Sequence, residues 1–272
     1  MQPAKIENKE DQVDTRRISP FNEIAFFLDN SQSMAIQDTA THISRFDRAK
    51  EVIESIVENL AGIPISLATF SGTVMNTCPA TMDYLYFRLT LQSQLVNDTP
   101  VPGTDFSQIA SDLQNRYGQN PTRKKTLFIL LSDGEDTTLL DLPSDERKSA
   151  YKKVASHIVN ATQTSFTQFD TIGFGSRTGK EVPDILLLGK PVISSFQPGL
   201  MREIALQGRG HFFEEAEIPV PQIVKEIYVD VLAESSQQGK RVLYSDMSGY
   251  LVITALLFLI IALVLPQIRR AR

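Results

Sequence analysis

Residues 23–33 read EIAFFLDNSQS, an apolar run of strand length that breaks off into Asp29, Ser31 and Ser33 on alternate positions. A run with no polar alternation after its first residue is the pattern of a strand buried on both faces, which occurs mainly in parallel sheets covered by helices. In a tight loop leaving such a strand, residues at i, i+2 and i+4 point to one side, so Asp29, Ser31 and Ser33 are expected to converge. Residues 126–131 (TLFILL) repeat the pattern more strongly and lead into Ser132-Asp133-Gly134-Glu135-Asp136. These two strand-to-loop transitions decide the fold class.

Between and beyond them, strand and helix signals alternate. Helical periodicity places Phe46, Ala49, Val52, Ile53, Ile56, Val57 and Leu60 on one face of a helix over 45–60. Strands follow at 65–70 and, as a short edge, at 74–78. Helices are expected at 83–95 and 106–117, then a helix at 147–161 and a strand at 168–174. Residues 184–188 and 191–195, either side of Gly189-Lys190, interrupt the alternation as a hairpin. A helix at 200–206, a strand at 210–213 and a helix at 220–232 close the domain. The expected architecture is α/β, a Rossmann-like, doubly wound, mostly parallel sheet with helices on both faces, in one domain over 21–233.

The 272 residues are 42% hydrophobic and 22% charged, a globular composition that excludes disordered and collagen-like classes. The net charge of −5 and the lack of any basic stripe exclude nucleic acid as an expected partner. A single cysteine, Cys78, excludes an internal disulfide and a cysteine-cluster metal site, and it reads as a small buried residue.

The ends have their own character. Residues 1–20 are polar and do not read as a secretory signal. Residues 247–266 (MSGYLVITALLFLIIALVLP) carry no charge, and about 20 residues at roughly 1.5 Å each match the bilayer core, so a membrane helix is expected there. A polar linker, 234–246, precedes it. The tail 267–272 carries three arginines and is expected to stay in the cytoplasm, which places the domain on the extracytoplasmic, periplasmic side.

Three oxygen-rich segments fall where the carboxyl ends of strands are expected, the edge at which open α/β sheets take ligands. They are Asp29-Asn30-Ser31-Gln32-Ser33, Gly103-Thr104-Asp105 and Ser132-Asp133-Gly134-Glu135-Asp136. Any one of them alone reads as turn and cap residues; together, hydroxyls and carboxylates suit a hard cation such as Mg²⁺ or Mn²⁺. Asp105, Glu135 and Asp136 read as solvated loop or helix-start carboxylates rather than ligands. The three histidines are scattered, with none near Ser31 or Ser33 in sequence, so a Ser-His-Asp nucleophile is not expected.

This constellation resembles the metal-ion-dependent adhesion site of von Willebrand factor type A domains, whose pattern is Asp-x-Ser-x-Ser, then a Thr, then an Asp after a strand. Asp29, Ser31, Ser33, Thr104 and Asp133 match its five positions. The resemblance implies that the Ser and Thr hydroxyls bind the metal directly, that the carboxylates act largely through water, and that an Asp or Glu of a protein partner completes the shell. No catalysis is then expected. Residues 45–50 (RFDRAK), 70–83 (FSGTVMNTCPATMD), 189–194 (GKPVIS) and 201–214 (MREIALQGRGHFFE) also resemble bacterial Bat (aerotolerance-operon) membrane proteins. That resemblance implies other Bat-type membrane proteins and a MoxR-type AAA+ ATPase as partners, the latter requiring access from the cytoplasm. Members of that family usually carry membrane helices ahead of the domain as well. Asn30 and Gln32 stand where the family commonly has small residues, and their bulk is expected to narrow access to the metal.

Two other readings compete. An aspartyl nucleophile at Asp29 would suggest Mg²⁺-dependent phosphoryl transfer, but such phosphatases carry an acid-base Asp where Ser31 stands, and no glycine-rich, lysine-containing phosphate loop is present. A metal-free structural scaffold is the other, against which the intact five-residue set argues.

Overall fold

A computed structural model of the chain describes residues 21–60, 62–99, 101–118, 125–162 and 167–233. The expected membrane helix at 247–266, its linker and both chain ends lie outside the described residues. Among the described residues, no helix is long and apolar enough to cross a membrane. Residues 21–231 form one compact unit.

Among the described residues there are eight strands and six α-helices: β1 (Glu23–Asp29), α1 (Arg45–Glu58), β2 (Ile65–Phe70), β3 (Val74–Thr81), α2 (Tyr84–Ser93), α3 (Ser107–Leu113), β4 (Thr126–Ser132), α4 (Ser144–Ala161), β5 (Thr167–Gly173), β6 (Lys180–Leu187), β7 (Lys190–Ser194), α5 (Pro198–Gln207), β8 (Arg209–Glu214) and α6 (Val220–Ala233). The main sheet has the order β3-β2-β1-β4-β5-β8, and β6 and β7 pair separately as a hairpin. All neighbours in the main sheet are parallel except β2 and β3.

The two strands that opened the sequence argument are central. β1 alternates its side chains between two cores: Ile24, Phe26 and Leu28 pack on one face, Ala25 and Phe27 on the other. β4 does the same, with Leu127, Ile129 and Leu131 against Phe128 and Leu130. The first face is covered by α1, α2 and α6, the second by α3, α4 and α5. Burial on both sides explains why neither strand shows polar alternation. α1 and α6 run in the same direction: Arg48 near the start of α1 meets Glu215 just before α6, and Glu58 and Asn59 at its end share a groove with Tyr228. β1 starts, and α6 finishes, toward the amino edge of the sheet.

The inner ladders are in continuous register, Glu23 to Leu28 facing Thr126 to Leu131. The two outer ladders, β2–β3 and β5–β8, each contain a register irregularity. β3 carries Pro79 and runs to Thr81, three residues beyond the expected edge strand, because its antiparallel pairing continues to Ile65. The expected helix over 106–117 is shorter, passing from α3 into a π-helical turn at Gln114–Gly118. In the hairpin the turn is Leu188-Gly189 rather than Gly189-Lys190, both residues having positive φ (50° and 75°), and Lys190 pairs with Leu187.

Candidate metal site

Chain order reverses across β1: β2 lies on one side and β4 on the other, so the carboxyl ends of β1 and β4 flank the crevice in which open α/β sheets hold ligands. Asp29 closes β1 and Ser132 closes β4, and the register sets them side by side. The Ser132 hydroxyl donates to Asp29 Oδ2 at 2.6 Å, while the Ser31 N–H donates to Asp29 Oδ1 at 2.9 Å. After Ser31 the chain enters a 3-10 turn, Gln32–Ala35, which brings the hydroxyls of Ser31 and Ser33 within 3.1 Å. The loop thus brings the Ser31 and Ser33 hydroxyls together, with Asp29 held against the Ser31 backbone.

Thr104 reaches the same edge by a different tie. Its N–H donates to the Thr137 hydroxyl at 3.1 Å, and its carbonyl accepts from the Thr137 N–H at 2.9 Å. Asp136 locks the same two loops, accepting from the Phe106 N–H (3.2 Å) and the Thr138 hydroxyl (2.6 Å). This corrects the expectation of a solvated Asp136: it is buried because the start of α3 packs over the loop after β4. Glu135 is half-buried and is held by the Ser194 hydroxyl rather than by solvent. Asp105 stands just before α3, as expected, and accepts from the Ser107 N–H at 2.9 Å.

Asp133 sits in the sharp turn beyond β4. Gly134 has φ +74°, and a Cβ there would stand 2.2 Å from the Gln197 carbonyl oxygen, so this position requires glycine. The turn lets the Asp133 carbonyl accept from the Gln197 N–H at 2.8 Å and its Oδ1 accept from the Glu135 N–H at 3.1 Å. Its Oδ2 takes a hydrogen bond of 2.7 Å from Arg45.

Arg45 is the residue that sequence reasoning did not place here. It is the first residue of α1, which Ser44 caps by accepting the Asp47 N–H, and its guanidinium is fully buried. Nε and Nη2 grip both oxygens of Asp38 at 2.8 and 2.7 Å, and Nη1 reaches Asp133 and, at 3.4 Å, the Ser194 hydroxyl. Gly175, at φ +105°, makes the space: a Cβ there would lie 2.4 Å from Arg45 Nε. The sequence signal was the stretch 45–50 itself, in which an arginine occupies the first position of an otherwise regular amphipathic helix.

The electrostatics show two buried carboxylates competing. Asp29, fully buried, is pushed up to about 7 from an ordinary 3.8, first by loss of solvent and then by the Asp133 charge, against the hydrogen bonds from Ser132 and Ser31. Burial also raises Glu135 and Asp136. Burial would raise Asp38 as well, but the Arg45 guanidinium and the Ser176 N–H outweigh it and hold that carboxyl below its usual range. Among the described residues, no three His, Cys, Asp or Glu side chains group in a way that could hold a metal, so a cation here would depend on the hydroxyls. Two buried carboxylates beside a pair of converging hydroxyls form an oxygen-only donor set that fits a hard divalent cation. Asn30 Oδ1 is a further buried oxygen without a hydrogen-bond partner, next in sequence to Asp29.

A sheet of this order sets these hydroxyls and carboxylates at its switch point, the place where open α/β sheets hold ligands. Residues 24–135 match the von Willebrand factor type A domain family model. Its fold is similar to the crystal structure of the conserved hypothetical protein BatB from Bacteroides thetaiotaomicron, at 21% identity over 79% of this chain and 98% of that one, with a TM-score of 0.60. It is equally similar to an aerotolerance-related membrane protein from Bacteroides fragilis, at 21% identity over 77% and 98%, TM-score 0.61. A von Willebrand factor type A protein from Catenulispora acidiphila matches at 17% identity over 79% of this chain and 42% of that one, TM-score 0.52. No curated protein matches by sequence.

Proposed function

We propose that the domain is a metal-dependent protein-recognition module: the hydroxyls of Ser31, Ser33 and Thr104, with Asp29 and Asp133, would hold Mg²⁺ or Mn²⁺. When bound, the cation supplies a Lewis-acid position that the carboxylate of a partner protein completes. The observation that carries this reading is the placement of Asp29, Ser31, Ser33 and Asp133 at one switch point with Asp29 pushed up to about 7, a site short of positive charge. Arg45 supplies part of that charge to Asp133 and fixes its carboxylate in place. Tethering by residues 247–266, supported by the uncharged 20-residue run, belongs to the same proposal, as does the extracytoplasmic side, supported by the three arginines of 267–272. Bat-type membrane proteins and a MoxR-type ATPase are the partners this likeness suggests.

The phosphoryl-transfer reading is disfavoured by the geometry at Asp29. Its side chain is fully buried and both of its oxygens are engaged, by Ser31 and Ser132, which leaves no open path for attack on a phosphoryl group. The proposal is tested by titrating the full chain, in nanodiscs, with Mn²⁺ and following its electron paramagnetic resonance. One bound ion per chain, displaced by Mg²⁺ and lost in Ser31→Ala/Ser33→Ala, is the expected result. Binding unaffected by the double substitution, or none in the wild type, would remove the metal from this reading.

A further inference from the structure

The hairpin β6–β7 is where the fold departs from simple alternation, and its tip is unusual in two ways. Leu186, Leu187 and Leu188 are 68%, 68% and 96% exposed, and Ile193 on the facing strand is 56% exposed. Leu188 also occupies a left-handed position, φ 50°, in a two-residue turn that favours Asn, Asp or Gly. An aliphatic residue here costs backbone strain and apolar exposure together, which marks the tip as a place where stability is given up.

The hairpin is fastened to the metal site. The Gln32 side-chain amide donates to the Pro183 carbonyl at 3.1 Å, joining the Asp29–Ser33 loop to β6. At the other strand, Ser194 lies between Arg45 and Glu135, and Gln197 just beyond it bonds the Asp133 carbonyl. Both strands are therefore tied by hydrogen bonds to the loops that carry Ser31, Ser33 and Asp133. Gln32, whose bulk was expected to narrow the site, serves as one of these fasteners.

We propose that the Leu186–Leu188 tip is the second contact of the metal site's own partner, a protein segment in which an Asp or Glu is flanked by aliphatic side chains. The inference rests on the metal-dependent reading: the cation takes the carboxylate and the leucines take its apolar neighbours. A bilayer fits the tip less well. Lys180 and Lys190 are balanced by Glu181 and Asp184, so the hairpin has no cationic footprint for anionic lipid.

The test pans a displayed library of random twelve-residue peptides on the full chain in nanodiscs with Mg²⁺. The expected peptides carry an acidic residue beside aliphatic ones. Their Kd should rise at least tenfold in EDTA and at least tenfold on Leu187→Thr/Leu188→Asn. Thr suits a strand and Asn the left-handed turn, so this variant keeps the hairpin, and unchanged Mn²⁺ affinity verifies that it does. Peptides lost in EDTA but binding wild type and variant equally would overturn the role of the hairpin and leave the metal reading standing. Peptides indifferent to EDTA but lost in the variant would overturn the metal reading and the joint contact with it. Recovery of none with either dependence overturns the proposal. The chain has no tryptophan, so Leu187→Trp is a unique fluorophore: quenching by brominated lipid would assign the tip to the bilayer, and leucine-dependent dimerisation would assign it to a second copy. Either would overturn a protein segment as the occupant.

Discussion

Arg45 Nη1 stands 2.7 Å from Asp133 Oδ2, and neither side chain has exposed surface. The pair links the first turn of α1 to the loop after β4, and the remaining guanidinium nitrogens close on Asp38. Replacing Arg45 with Met would leave two buried carboxylates without their cation. The expected loss is about 3–5 kcal/mol of folding stability, measured by urea denaturation. Arg45→Lys should recover little of it, because one ammonium cannot match three directed hydrogen bonds to two carboxylates.

Gly134→Ala tests whether the turn beyond β4 sets the site. The left-handed backbone alone costs about 1–2 kcal/mol for a residue with a Cβ. The contact with the Gln197 carbonyl adds to that cost. Relief by loop movement would shift Asp133, so Mn²⁺ affinity should fall along with the denaturation midpoint. A variant as stable as wild type with unchanged affinity would show that the turn is not under this constraint.

Asp29 gives the metal-free protein a pH dependence of definite sign. Its folded value of about 7 lies above the ordinary 3.8, so between those values the folded chain holds a proton that the unfolded chain releases. Stability from this group is therefore complete below about pH 4, falls as pH rises, and is lost above about pH 7. Melting temperatures in EDTA across that window should decline more steeply for wild type than for Asp29→Asn. Equal slopes would contradict it.

Leu188→Asn should stabilise the domain, since Asn tolerates the left-handed turn and an exposed leucine contributes no burial. The expected gain is up to about 1 kcal/mol by denaturant titration, within the cost of that backbone conformation. Paired with a loss of peptide binding, this gain would identify Leu188 as a residue kept for contact at the expense of stability.

The framework was legible because its strongest signals were hydrophobic. β1 and β4, buried on both faces, read as continuous apolar runs, and the oxygen-rich segments that follow them hold Asp29 and Asp133. Ser31 and Ser33 followed from loop spacing. Arg45 and Asp136 were not legible in the same way: each is a charged side chain buried by partners distant in sequence, Asp133 for one and the Phe106 N–H for the other. Periodicity assigns charge to the surface, so a charge enclosed by tertiary hydrogen bonds goes unseen. The hairpin is legible from its apolar flanks, but the sequence puts its turn one residue late, since Gly189 reads as the first turn position when it is the second.

The irregular outer ladders bear on crowding. An open sheet ends in strands whose unpaired backbone groups can template the next chain. Here Pro79 and the register breaks of β3 disturb one rim, and the break between β5 and β8 disturbs the other. The central strands keep the regular pairing that holds the ligand loops, while the rims are poor substrates for edge-to-edge growth. The two rims of the sheet thereby resist edge-to-edge pairing with a second copy.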